Sequence, residues 1–126
     1  MPKTVPVLPG IEPSSFPFSQ VVEANGFVFV AGQVGEVPGG HGAVAGGIVP
    51  ETRAMLDNVG RLLRAASLDY SDVVKATVYL RDFGDFAEFN TVYREYFPTE
   101  PPTRATVGVT ALAADFRVEI EVLAVR

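Results

Sequence analysis

Cysteine is absent from the 126-residue chain, which excludes disulfides, thiolate nucleophiles and cysteine metal sites. Histidine occurs once, as His41 within Gly39-Gly-His-Gly42. A multi-histidine metal centre and a Ser-His-Asp triad are therefore disfavoured, carboxylate-only sites for hard cations stay open, and His41 reads as an exposed loop residue. Positive charge is scarce: ten Lys and Arg against fifteen Asp and Glu give a net charge of −5. With no basic cluster to offset that balance, the composition disfavours a nucleic-acid partner. No apolar run approaches the roughly 18 residues that a bilayer crossing needs. The opening Met-Pro-Lys-Thr-Val-Pro lacks the basic region and apolar core of a secretory signal. A soluble cytoplasmic protein of one domain, residues 1–126, is the expectation.

What is present is patterned as an α+β protein. Pro2, Pro6, Pro9, Pro13 and Pro17 forbid helix and predict an extended N-terminal arm laid over the domain. Ser19 to Ala24 and Phe27 to Gln33 read as strands joined by Asn25-Gly26, a strong hairpin signal. Gly35 to Gly47 is glycine-rich, without periodicity and without the Gly-Lys-Ser/Thr ending of a phosphate loop. Met55, Val59, Leu62, Leu63 and Ala66 recur at helical spacing and predict a helix over Pro50 to Ala66. Val73 to Leu80 has the β-branched content of a strand. Phe86, Phe89, Tyr93 and Phe97 form an aromatic stripe that predicts a second helix over Phe83 to Phe97, with the stripe in the core. Right-handed crossovers would place both helices on one face of a mixed sheet. The other face would remain open, and its apolar area predicts association between copies.

The last two strands carry the charges that call for a reason. Arg104 opens Arg104 to Val109, and Glu119 and Glu121 lie inside Arg117 to Val125. Strand alternation puts Val118, Ile120, Val122 and Ala124 on one face and Glu119, Glu121 and Leu123 on the other, the two carboxylates about 7 Å apart. A carboxylate drawn into a half-buried sheet needs a cation, a donor or a proton. On residue chemistry alone, Arg104 with Glu119 reads as a buried ion pair across strands ahead of a site. Arginine offers a planar, permanently charged fork for a carboxylate, and a single carboxyl suffices to move the protons of an already electrophilic imine.

Pro102-Thr-Arg-Ala-Thr-Val-Gly-Val109 followed by Val118-Glu-Ile-Glu-Val122 resembles the signature of the reactive intermediate deaminases, the RidA/YjgF family, also labelled endoribonuclease L-PSP. Supporting matches are Ala31-Gly-Gln33, Arg53 to Val59, Val73 to Leu80, and Asp85 to Asn90 with Tyr93 and Phe97, so the resemblance covers nearly the whole chain. It implies a chorismate-mutase-like α+β fold assembled as a homotrimer, with a cleft at each subunit interface and neither metal nor organic cofactor. It implies hydrolysis of reactive enamines and imines of the 2-aminoacrylate type to 2-keto acids and ammonia. Arg104 would clamp the substrate carboxylate and Glu119 would handle the proton and the attacking water. The main chain at Thr106 and Gly32 would hold the ligand, with Phe18 and Asn90 lining the cleft. Departures are Phe16-Pro-Phe18 where the family usually has Gly-Pro-Tyr, Thr106 where cysteine is frequent, Glu51 for a common glutamine and Ser67 for a common glycine. The competing functions are a trimeric protein that binds small carboxylates without chemistry, and a ribonuclease or translation inhibitor.

Overall fold

The computed structural model describes residues 2–126. Strands β1 (Val21–Ala24) and β2 (Phe27–Val34) form a hairpin. Its two-residue turn has φ of 53° at Asn25 and 79° at Gly26. Two successive positive φ angles match the right-handed twist of the strands, which is why an Asn-Gly pair serves here. Helix α1 (Ile48–Ala65), strand β3 (Val73–Leu80), helix α2 (Phe86–Tyr96), strand β4 (Thr103–Gly108) and strand β5 (Val118–Val125) follow. The strands make one sheet in the order β1-β2-β5-β3-β4. All pairings are antiparallel except β3 with β4, which is parallel and leaves β4 on an edge.

Both helices lie on one face, as the pattern predicts. Val28, Val78, Val118, Ile120 and Ala124 from the sheet are fully enclosed against Met55, Leu56, Val59, Leu62 and Leu63 of α1 and Phe89 of α2. The opposite face is open. Phe27 (44 % exposed) and Phe29 (48 %) stand there beside their register partners Val125 and Leu123.

The boundaries shift for local reasons. Helix α1 starts two residues before the expected Pro50, because a proline in the first turn removes only an N–H that has no helical acceptor. At its far end Leu68 N–H bonds Leu63 carbonyl, with Ser67 in the left-handed region at φ 63°. Serine thus occupies the position where glycine ordinarily ends such a helix. Helix α2 begins at Phe86, not Phe83, because the Asp82 side chain accepts the Gly84 N–H and winds Phe83–Asp85 into a separate 3₁₀ turn. The N-terminal arm is not helical and is tied to the sheet by a bridge between Thr4 and Glu23. Among the described residues no helix is long and apolar enough to cross a membrane.

Candidate functional site

Arg104 pairs in register with Ala76, a buried residue of the helix-covered face, so its side chain passes under α2. Its Nη2 donates to Asn90 Oδ1 at 2.8 Å. The guanidinium carbon lies 4.7 Å from the Tyr93 ring centroid, 5.4 Å from Phe89 and 5.8 Å from Phe86. The aromatic stripe is therefore core and, at the same time, the bed on which the cation rests, a role the helical spacing alone did not reveal. Ring quadrupoles attract a guanidinium and replace part of the hydration it gives up. Asn90, Tyr93 and Arg104 line an open cleft of about 390 Å³ together with Phe97, Pro98, Pro101 and Pro102. Burial pushes the Tyr93 phenol above its ordinary range, against the pull of Arg104. Thr106, two residues along β4 and on the same side, has a buried hydroxyl without a partner.

Glu119 lies on the other face. Its strand neighbours Val118 and Ile120 are wholly enclosed, so alternation turns Glu119 to the open side, opposite Val34 of β2 and Tyr79 of β3. Burial holds its carboxyl above the usual range, and the charge of Glu121 adds to that. Glu121 shares the face, as expected, and accepts a 2.8 Å hydrogen bond from Tyr79 Oη. The expected cross-strand contact between Arg104 and Glu119 is corrected by this arrangement. The two sit on opposite faces of one sheet, in registers three residues apart on β3, and Arg104 is not among the groups that perturb Glu119. Neither an ion pair nor a complete site forms between them within one chain.

Gly32 belongs with Glu119. The ladder between β2 and β5 shifts between Val30 and Gln33, and Gly32 sits in that irregularity. The carbonyls it displaces are met by Gln33, whose Nε2 donates to Ala31 at 3.0 Å and to Gly32 at 3.2 Å. A Cβ at Gly32 would overlap Glu119 Oε2 and lie 3.1 Å from its Cδ. The glycine makes room for the carboxyl, in keeping with the way bulges shape sites.

Phe18 is separate from both clusters. It is half-exposed and lines a groove of about 340 Å³ between the N-terminal arm and the start of β1. The structure thus joins Arg104 with Asn90, and Glu119 with Gly32, but leaves Phe18, Thr106 and these two pairs unconnected within one chain. Among the described residues no cluster of three metal-ligating side chains occurs, and His41 is exposed in its loop.

Residues 11–126 match the family described as Endoribonuclease L-PSP. The goat protein named 2-iminobutanoate/2-iminopropanoate deaminase is 44 % identical over 110 residues, 87 % of this chain and 80 % of that protein. Yeast Mmf1 superposes with a TM-score of 0.89 at 35 % identity, covering 99 % of both chains. E. coli TdcF with bound serine superposes at 0.84 with 35 % identity, covering 90 % of this chain and 91 % of that one. The chain belongs to the endoribonuclease L-PSP family, the RidA/YjgF group, and its sheet with two helices on one face is the fold of that group.

Proposed function

We propose that the protein hydrolyses reactive enamine and imine intermediates of the 2-aminoacrylate type to 2-keto acids and ammonia, without a cofactor, in clefts that two copies of the chain complete as parts of a homotrimer. The observation that carries this reading is the separation of the clamp from the acid: Arg104 and Glu119 occupy opposite faces of one sheet, each prepared for a task that needs the other. The apolar patch of Phe27, Phe29, Leu123 and Val125 on the open face supplies a surface that a second copy would cover. The imine deaminase name of the goat relative and the serine held by E. coli TdcF agree with a small amino- or imino-acid ligand.

The chemistry follows from the residue types. Arg104, already oriented by Asn90 and three rings, presents its free N–H edge to the substrate carboxylate. Glu119, whose carboxyl is biased toward its protonated form, gives a proton to the enamine carbon and generates the imine. Protonation at carbon leaves the nitrogen as an iminium, C=NH₂⁺, and Glu119, now a carboxylate, takes a proton from the water that adds to C2, giving the neutral carbinolamine. Glu119 passes that proton to the amino nitrogen and takes up the hydroxyl proton as the C=O forms and the C–N bond breaks, releasing ammonia and the 2-keto acid with Glu119 protonated again. Main-chain groups at Gly32 and, from a neighbouring copy, at Thr106 on the edge strand would hold the ligand between these two side chains. Phe18 would contribute an apolar wall.

The test is release of keto acid from 2-aminoacrylate generated in situ by a pyridoxal-phosphate enzyme, with the wild type beside Arg104→Ala, Glu119→Gln and a control lacking the protein. Acceleration that both substitutions remove supports the reading. Saturable keto-acid binding without acceleration on small or bulky imino acids would replace it with a carboxylate-binding protein, the outcome that the missing phenol at Phe18 favours. Cleavage of RNA by purified protein, abolished by Glu119→Gln, would replace it with the ribonuclease; the net charge of −5 argues against that outcome.

A further inference from the structure

One buried acid has no part in the steps above. Glu51, in the first turn of α1, is 1 % exposed. Its Oε2 accepts the main-chain N–H of Arg117 at 2.6 Å and of Val118 at 3.3 Å. These are the two residues that lead directly into Glu119. The Glu51 main chain is also pressed against Gly35, where a Cβ would overlap both its carbonyl oxygen and its Cγ. Gly35 follows Val34, the register partner of Glu119. Two turns along the same helix, Asn58 Nδ2 donates to the carbonyls of Val34 at 3.0 Å and Glu36 at 2.7 Å. Helix α1 thus grips the end of β2 and the start of β5 together through Glu51 and Asn58, and these strands form two walls around the Glu119 carboxyl.

We propose that Glu51 is the positioning residue for Glu119: by fixing the Arg117–Val118 peptide units against the end of β2, it sets where the Glu119 carboxyl stands and how far water reaches it. The proposal rests on the deaminase reading for its catalytic consequence, and on geometry alone for its effect on Glu119. What the clasp requires is an acceptor oxygen at this depth. A glutamine carbonyl supplies one, while alanine leaves two N–H groups in the core interior without a partner. Burial pushes Glu51 itself upward, with the two N–H donors and the charges of Arg117 and Arg81 opposing it. The groups facing Glu119 are Glu121 on its own strand, Tyr79 on β3, and Gly32 and Val34 on β2.

The experiment compares Glu51→Ala, Glu51→Gln and wild type by steady-state kinetics on 2-aminoacrylate and by ¹³C titration of the Glu119 carboxyl in the free protein. A displacement of about 1 Å at a reacting group costs on the order of 100-fold, so Glu51→Ala is expected to lower kcat at least tenfold. KM should stay within about twofold, because Arg104 lies on the other face. The Glu119 titration midpoint should fall as water enters, and Glu51→Gln should restore kcat and the midpoint together. Folded Glu51→Ala with kcat near wild type and an unmoved midpoint would overturn the proposal, as would equal losses in alanine and glutamine variants. If wild type turns over no imine, the deaminase reading fails, and the titration still decides: a midpoint moved by alanine and restored by glutamine upholds the positioning role. If the alanine variant does not fold, Glu51→Asp, whose acceptor is one methylene shorter, is read by the same two measurements and the same criteria.

Discussion

Gly32→Ala separates stability from activity. Gly32 has no positive φ, so alanine is sterically acceptable to its backbone. Such a replacement ordinarily stabilises by about 0.4–1 kcal/mol by restricting the unfolded chain. The added methyl, however, would occupy the place of Glu119 Oε2 and sit 3.1 Å from Cδ, where ordinary contact begins at 3.4 Å. A bulged, partly open strand gives the side chain freedom to swing away, so the overlap is relieved by moving the carboxyl instead of by unfolding the sheet. A swing on the order of 1 Å at a proton-transferring group costs roughly 100-fold in rate, or about 2.7 kcal/mol of transition-state stabilisation. The assay is kcat on 2-aminoacrylate generated in situ, beside a thermal melt of the same sample. The expected result is a melting temperature within about 3 °C of wild type with kcat reduced between 10- and 100-fold. A variant that keeps full kcat would refute the placement of Glu119 at the reacting atoms; one that loses activity only by unfolding would refute the reasoning about where the methyl goes.

Other substitutions probe the opposite face and the buried acid. Arg104→Lys keeps the charge but loses the planar fork and the stacking on Tyr93, Phe89 and Phe86, so KM should rise at least about tenfold with the melting temperature little changed; an unchanged KM would speak against a carboxylate clamp. Asn90→Ala removes one hydrogen bond to a cation, worth about 1.5 kcal/mol, and should raise KM roughly tenfold while leaving the pH dependence of kcat in place. For Glu51, a carboxyl raised by burial stabilises the fold in its protonated form, fully below its unfolded-state pKa, and that contribution is lost as pH rises through the folded-state value. Glu51→Gln should therefore melt above wild type at neutral pH, with the gap closing as the solution is acidified; a gap that widens toward acid would reverse the sign.

Much of the sheet was legible because alternation is local. Val118, Ile120, Val122 and Ala124 are buried and Glu119 and Glu121 are turned the other way, as period two requires. The hairpin at Asn25-Gly26 and the periodicity of α1 were equally readable, since both depend on neighbouring residues. The relation between Arg104 and Glu119 was not. Each strand fixes its own two faces, but which face of β4 matches which face of β5 depends on their separate registers with β3, Ala76 with Arg104 and Tyr79 with Glu119. The aromatic bed beneath Arg104 left a readable trace, an arginine two residues beyond a helix-ending Pro98 to Pro102 segment and preceded by aromatics at positions 86, 89 and 93, but an aromatic stripe and a cation platform have the same helical spacing. Glu51 gave only an acid near a helix start, which ordinarily marks a solvated residue favoured by the helix dipole; its burial depends on the closing of Gly35 upon it.

The most direct measurement mixes two variants that are each expected to be inactive, Arg104→Ala and Glu119→Gln, after dissociation and reassembly in equal amounts. A cleft taking its clamp from one copy and its acid from the next is intact wherever a Glu119→Gln chain lends Arg104 to an Arg104→Ala neighbour, so random assembly regenerates about a quarter of the wild-type activity. Recovery near that fraction, with each variant reassembled alone remaining inactive, is the predicted result. No recovery, despite mixed oligomers demonstrated by mass, would contradict a site shared between copies.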